Sequence, residues 1–137
     1  MGFVVSQDVL FRHCDPAGIV FYPRYFEMIN DSVEAFFAKV LDLPFSVLHQ
    51  DGGVPTVKTE THFVAPSRLG DRLAITVNVL NIGYTSLTID VTASCTDTIR
   101  FQSKSTLVLI NGTGRPRKWP YVIKCKLRDF QERNRNH

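Results

Sequence analysis

The chain has 137 residues, 44% of them hydrophobic and 21% charged, which is typical of one globular domain over residues 1–137 and excludes a mainly disordered chain. The longest apolar runs are far shorter than the roughly 20 residues of a membrane-spanning helix, so no membrane partner is expected. The net charge of +3 is uneven, since residues 115–137 hold eight basic and two acidic side chains.

The N-terminal part predicts one strand followed by one amphipathic helix. Residues 3–11 are typical of a strand. Pro23 suits the first turn of a helix, because its missing N–H would have no helical partner there. Apolar side chains then recur at gaps of three and four, which marks one helix face. These side chains are Phe26, Ile29, Val33, Phe36, Phe37, Val40 and Leu41.

The rest of the chain predicts four more strands. Apolar and polar residues alternate with a period of two, as in half-buried strands. The alternating segments are 57–63, 73–79, 87–95 and 99–110. One strand, one helix and four further strands predict an α+β domain in which the helix covers one face of a curved, five-stranded antiparallel sheet.

The segment FRHCDPAGIVFYPRYF, between the first strand and the helix, carries the chemistry. Asp15 and Pro16 open a turn that Gly18 helps to close. The backbone N–H groups of a helix N-terminus suit an oxyanion or a polarised carbonyl, and a carboxylate just upstream can reach the same carbonyl carbon. Asp-Pro-x-Gly by itself suits an ordinary tight turn, so the wider motif has to decide between these interpretations.

The cysteines predict no special chemistry. Cys14, Cys95 and Cys125 show no C-x-x-C spacing, and with the four histidines they form no pattern of metal ligands, so no metal is expected. Cys14 is interpreted as a packing residue, because no histidine is placed to activate it. Without a recognisable secretion signal, reduced thiols and a cytoplasmic location are expected.

The stretch CDPAGIVFYPRYFE closely resembles the active-site signature of the 4-hydroxybenzoyl-CoA thioesterase family of hotdog-fold proteins. The resemblance covers about residues 3–119, including GGVPTVKTETHFVAPSRLGD. It implies the hotdog fold, with one long central helix wrapped by a five-stranded antiparallel sheet. It also implies a homodimer or homotetramer with active sites between protomers. No cofactor is implied, since coenzyme A enters as part of the substrate.

The resemblance also assigns site residues. Asp15 matches the catalytic carboxylate, which either attacks the thioester carbonyl or activates a water. Tyr22 and Gly18 match the positions that polarise the carbonyl, with the Tyr22 N–H as the donor. Tyr25 and Phe21 are expected to bind an aromatic acyl group of the hydroxybenzoyl type. The residues expected to bind coenzyme A are Arg115, Arg117, Thr85 and Ser86.

Two departures from the family pattern bear on the substrate. The archetype has adjacent arginines in the hairpin where this chain has Gly83 and Tyr84, so the contacts with the nucleotide of coenzyme A are expected to differ. Asn30 and Val54 occupy positions where polar residues shape the archetype's acyl pocket.

An acyl-CoA thioesterase is therefore predicted, and two alternatives stay open. A hotdog dehydratase or hydratase would use a histidine base near the helix start, and residues 14–48 contain no histidine. A non-catalytic acyl-CoA-binding protein would not need Asp15. Nucleic acid is not an expected partner, because the basic end has few aromatic residues for base stacking. Residues 128–137 are predicted to be a frayed tail.

Overall fold

The computed structural model describes residues 2–134 and consists of a five-stranded antiparallel sheet, a two-stranded ribbon and helices. The strands of the large sheet are β1 (Phe3–Asp8), β3 (Thr56–Phe63), β4 (Arg72–Ile82), β5 (Ser86–Cys95) and β6 (Thr98–Val108). The ribbon pairs β2 (Gly52–Gly53) with β7 (Ile110–Asn111). The helices are α1 (Pro23–Lys39), α2 (Phe45–Leu48) and α3 (Tyr121–Asn134). The predicted α+β class and the five-stranded antiparallel sheet are confirmed.

The strand order in the large sheet is β1-β4-β5-β6-β3. The predicted alternation holds over residues 73–79 of β4 and 87–93 of β5, where every second residue is buried. A two-residue turn joins β5 to β6, and both its residues, Thr96 and Asp97, have positive φ, as a twisted hairpin requires. β3 follows α1 in the chain but lies at the far edge, where seven of its eight residues are exposed.

Helix α1 has seventeen residues and buries seven of them. The predicted apolar stripe is rotated slightly, because Tyr25 and Met28 are buried whereas Phe26 and Val40 are only partly buried. The Phe36 ring makes edge contacts with Phe3 and Phe37, so β1 and α1 share one core.

Helix α3 corrects the prediction of a frayed tail for residues 128–134. Its Ile123, Leu127 and Phe130 are buried, and Phe130 packs edge-on against Phe36 with ring centroids 5.0 Å apart. The Lys126 ammonium donates to the Leu41 carbonyl at 3.2 Å, which satisfies a backbone acceptor just beyond the end of α1. Residues 135–137 of the predicted tail lie outside the described residues. Within residues 2–134, no helix is long and apolar enough to cross a membrane.

Candidate active site

Asp15 lies in a tight turn of a small hairpin between β1 and α1. Its N–H donates to the Ile19 carbonyl at 3.0 Å, and its carbonyl accepts the Gly18 N–H at 2.9 Å. The φ of +82° at Gly18 is in the left-handed region that favours glycine. Carboxylate Oδ1 accepts the Ala17 N–H at 2.8 Å. Within residues 2–134, no hydrogen bond or ion pair engages the second carboxylate oxygen, so this oxygen is available to a ligand.

The start of α1, a few residues after Asp15 in the chain, supplies a backbone N–H that is free to donate. Pro23 has no N–H, and the next two amides are engaged, with Arg24 donating to the Phe21 carbonyl at 2.8 Å and Tyr25 to the Tyr22 carbonyl at 3.1 Å. Among the described residues, no acceptor is found for the Tyr22 N–H. The Gly18 amide is already used inside the turn, so of the two predicted carbonyl-polarising residues only Tyr22 offers a free amide.

Phe63, the last residue of β3, organises the aromatic side chains beside this loop. Its ring lies 5.6 Å from Tyr22, 5.7 Å from Tyr25 and 6.1 Å from Phe26, between centroids. Phe21 extends the cluster through an edge contact with Tyr22 at 5.7 Å. The sequence analysis did not select Phe63 as a site residue. The available signal was an aromatic residue at the end of an edge strand, followed by the break Val-Ala-Pro.

Tyr25 lies beneath this cluster and not on an open surface. Only 3% of Tyr25 is exposed, and its hydroxyl bonds the Ser67 hydroxyl at 2.9 Å. Its ring also packs against Phe101 at 5.0 Å. A shallow cleft of about 250 Å³ runs over Tyr25. This cleft is lined by Ile19, Val20, Tyr22, Tyr25, Phe63, Val64, Ala65 and Pro66.

A second cleft, of about 420 Å³, opens between α1 and the edge strand β3. It brings together Asn30 and Val54, which are far apart in the chain, with apolar walls from Phe26 and Ile29. Its lining is completed by Pro55, Thr56, Thr59 and Ser105.

One side of the second cleft carries side-chain hydroxyls. Thr59 and Ser105, which both line the cleft, are bonded at 2.9 Å between oxygen atoms. The next pair along the strands, Thr61 and Ser103, is bonded at the same distance but lies outside the cleft lining. Both serines are buried at positions of β6 that point into the core. Apolar side chains are the ordinary occupants of such positions, so the Thr59 and Ser105 hydroxyls give this cleft a polar wall.

The residues predicted to bind coenzyme A meet at one end of the sheet. The Leu109 N–H donates to the Thr85 carbonyl at 2.9 Å, and the Leu109 carbonyl accepts the Arg117 N–H at the same distance. The Trp119 indole N–H donates to the Ser86 carbonyl at 3.0 Å. These bonds hold three of the four predicted residues together.

Arg115, the fourth, lies two residues before Arg117 on the same extended segment. Its N–H donates to the Asn111 side-chain oxygen at 3.0 Å, and Arg115 is exposed.

A partly buried ion pair holds the segment that supports the Asp15 hairpin. Arg100 donates to the Asp71 carboxylate at 2.7 Å and to the Pro66 carbonyl at 3.1 Å. The pKa of Asp71 is lowered, first by the Arg68 backbone N–H and then by the Arg100 guanidinium. Arg68 also pairs with Ile19 in an antiparallel bridge. The hairpin is therefore anchored to residues 66–71 as well as by its own turn.

Solved structures similar to this one share the fold over nearly the whole chain. A 1,4-dihydroxy-2-naphthoyl-CoA thioesterase from Synechocystis is 19% identical with a TM-score of 0.84, covering 93% of this chain and 96% of its own. A gentisyl-coenzyme A thioesterase is 23% identical with a TM-score of 0.84, covering 91% and 99%. A Staphylococcus aureus protein in complex with CoA is 19% identical with a TM-score of 0.88, covering 95% and 84%. The architecture is thus the hotdog fold found in thioesterases.

The family follows from the sequence comparison. The model of the Thioesterase-like superfamily matches residues 9–127, and the chain belongs to this superfamily. The predicted enzyme class, a thioester hydrolase, is confirmed. The narrower 4-hydroxybenzoyl-CoA assignment stays a prediction. A comparison with curated proteins finds no match.

Proposed function

We propose that this enzyme hydrolyses small aromatic acyl-CoA thioesters of the hydroxybenzoyl type, with Asp15 as the attacking group or general base. The observation that carries this proposal is that one short anchored loop holds both a carboxylate oxygen, on Asp15, and a helix-start amide, on Tyr22, for which residues 2–134 provide no hydrogen-bond partner. Such an amide stabilises the negative charge that develops on the carbonyl oxygen.

These groups can support hydrolysis by two routes, with Asp15 as a general base or as a nucleophile. As a general base, Asp15 takes a proton from water while the hydroxide adds to the carbonyl carbon. The C–S bond then breaks to release the CoA thiolate, and Asp15 gives its proton to the thiolate or to solvent. As a nucleophile, Asp15 forms a mixed anhydride, expels the thiolate, and is regenerated by water. Because a thiolate is a good leaving group, neither route needs a strong acid or a further cofactor.

The cleft beside α1 supports an aromatic acyl group with a polar end. Its apolar walls, Phe26, Ile29 and Val54, suit a flat ring, and the Thr59 and Ser105 hydroxyls suit a ring hydroxyl. Tyr22 and Tyr25 contact Phe63, and Phe21 contacts Tyr22. These aromatic side chains are proposed to guide the thioester toward Asp15. Two of the similar structures are named for thioesters of hydroxylated aromatic acids.

We propose a homodimer or homotetramer in which β3 meets its counterpart. β3 is an edge strand with free backbone groups, and Val57 and Phe63 on it are exposed. The cleft lined by Thr56 and Thr59 opens along the same strand, so a partner would close it. Sedimentation equilibrium measures the mass, and a species of 15.5 kDa at all concentrations would contradict this assembly.

Arg115 and Arg117 are proposed to hold the CoA phosphates, since a guanidinium stays charged and binds phosphate through two N–H groups. We expect Arg115→Ala and Arg117→Ala each to raise KM for a CoA thioester about tenfold while changing kcat little. With the matching pantetheine thioester, which lacks the nucleotide, KM should change less than about twofold. Equal effects on both substrates would contradict a nucleotide contact.

The experiment that tests the proposed activity is a panel of thioesters followed by release of the free thiol. We expect kcat/KM for 4-hydroxybenzoyl-CoA to exceed that for benzoyl-CoA, and to exceed that for palmitoyl-CoA by about tenfold or more. Thr59→Val keeps the side-chain shape and removes the hydroxyl, so it should reduce the preference for the hydroxylated ring. Binding of CoA thioesters without any thiol release would instead support a non-catalytic binding protein.

A further inference from the structure

A buried histidine adjoins the loop that carries Asp15. His13 is 2% exposed and ends a short 3₁₀ turn, Phe11–His13. The ring Nδ1 of His13 accepts the Leu10 N–H at 2.8 Å, and the backbone N–H of His13 donates to the Leu10 carbonyl at 2.9 Å. A backbone N–H can only donate, so Nδ1 carries no proton and the imidazole is neutral in this arrangement.

The same residue closes the base of the catalytic hairpin. The His13 carbonyl accepts the Phe21 N–H at 2.9 Å, and the next pair inward, Cys14 with Val20, forms an antiparallel bridge. Phe21 immediately precedes Tyr22, whose amide is the free donor. His13 thus makes three hydrogen bonds, two with Leu10 after β1 and one with Phe21 before α1. These bonds hold both ends of the hairpin that carries Asp15.

We propose that His13 is a positioning residue whose neutral ring holds the Asp15 carboxylate and the Tyr22 amide in register, so that its protonation switches off turnover. This inference rests on the proposed roles of Asp15 and Tyr22. A proton on Nδ1 would place two donors, the ring N–H and the Leu10 N–H, against each other. The 3₁₀ turn would then open at the point where it sets the base of the hairpin, and small displacements of reacting groups are costly in rate.

Burial and the neighbouring cations together favour the neutral form of the His13 ring. The pKa of His13 is lowered from its usual 6.5, first by burial and next by the Arg12 guanidinium. From α1, Arg24 lowers the pKa of His13 further, while Glu27 and Asp31 raise it. Glu27 also bonds Arg24 at 2.7 Å and lies 3.9 Å from Arg12, which partly neutralises these cations.

The sign of the pH effect follows from the lowered pKa. Between the folded pKa and 6.5, the unfolded chain binds a proton at this residue and the folded chain does not, so the contribution of His13 to stability rises with pH in this window. As the pH falls through the window this contribution is lost. Turnover should decline at the lower, folded pKa, when the ring of the folded enzyme becomes charged.

Two amide variants separate the hydrogen bond from the shape of the side chain. In His13→Asn the side-chain oxygen can occupy the place of Nδ1 and does not titrate, whereas His13→Gln places its amide farther out, near the position of Nε2. We expect His13→Asn to keep at least about half of the wild-type kcat at pH 7.5, and His13→Gln and His13→Ala to lower kcat about tenfold with less than about a twofold change in KM.

The pH profile is the decisive measurement. The ratio of kcat at pH 7.5 to kcat at the lowest pH at which circular dichroism shows both proteins folded should be at least about twofold larger in the wild type than in His13→Asn, because only the wild type loses the Leu10 bond on protonation. Identical acid limbs in these two proteins, or unchanged kcat in a folded His13→Gln, would overturn the inference. If His13→Gln and His13→Ala do not fold, the pH profiles of kcat for the wild type and His13→Asn still test the inference. Full turnover in Asp15→Asn would instead refute the proposed function itself.

Discussion

Asp15→Asn should lower kcat for an aromatic acyl-CoA by about a hundredfold or more, which corresponds to about 2.7 kcal/mol of transition-state stabilisation. The asparagine side-chain oxygen can still accept the Ala17 N–H that Oδ1 accepts at 2.8 Å, so the turn should keep its shape. The amide can neither attack a carbonyl carbon efficiently nor accept a proton from water. The loss should therefore appear in kcat, measured by thiol release, with KM nearly unchanged.

Asp42→Asn is the matched control for this substitution. Asp42 is an exposed carboxylate just after α1, and its φ of +52° is tolerated equally well by asparagine. Its kcat and KM should equal those of the wild type. Turnover by Asp15→Asn close to that of this control would remove Asp15 from the mechanism and leave Tyr22 without a reacting partner.

Phe130→Ala should lower the free energy of unfolding by about 3–5 kcal/mol, as is typical when a buried aromatic ring is deleted. Phe130 is 5% exposed and packs against Phe36 of α1, so its removal leaves a cavity between α3 and the core. Denaturant unfolding at one fixed protein concentration measures this change, because an oligomer would otherwise make the midpoint depend on concentration.

Tyr121→Ala provides the control on the same helix. Tyr121 is 80% exposed, and the substitution makes the same change from an aromatic residue to alanine at a position outside the core. Its effect should stay within about 0.5 kcal/mol. A loss in Phe130→Ala no larger than in Tyr121→Ala would mean that α3 does not contribute to the core.

The elements of the hotdog sheet were predictable because each has a strong local pattern. The alternation over 73–79 and 87–95 reappears as buried positions on β4 and β5. The stripe from Phe26 to Leu41 predicted α1, although its register was rotated toward Tyr25 and Met28. Apolar periodicity reports which face is buried but not the angle at which a helix meets its sheet, and that angle decided the burial of Tyr25.

Helix α3 was not predicted because its pattern is weak on its own. Only Ile123, Leu127 and Phe130 are buried, among many basic side chains, and the segment resembles a solvated tail until α1 and β4 offer a surface. Marginal helices of this kind gain most of their stability from tertiary packing and little from local propensity.

By itself, the amino-acid sequence determined the fold class and the thioesterase class, because these depend on local periodicity and on one long motif. The active-site role of the short loop that bears Asp15 stays a prediction from the same motif. Only the tertiary structure decided that Phe63 contacts Tyr22, Tyr25 and Phe26, and that Thr59 and Ser105 share a cleft with Asn30 and Val54. It also decided that the Gly18 amide is occupied whereas the Tyr22 amide has no acceptor within residues 2–134. The physical reason is that these facts depend on which distant strands become neighbours and which backbone donors find partners. Neither is set by residues adjacent in the chain.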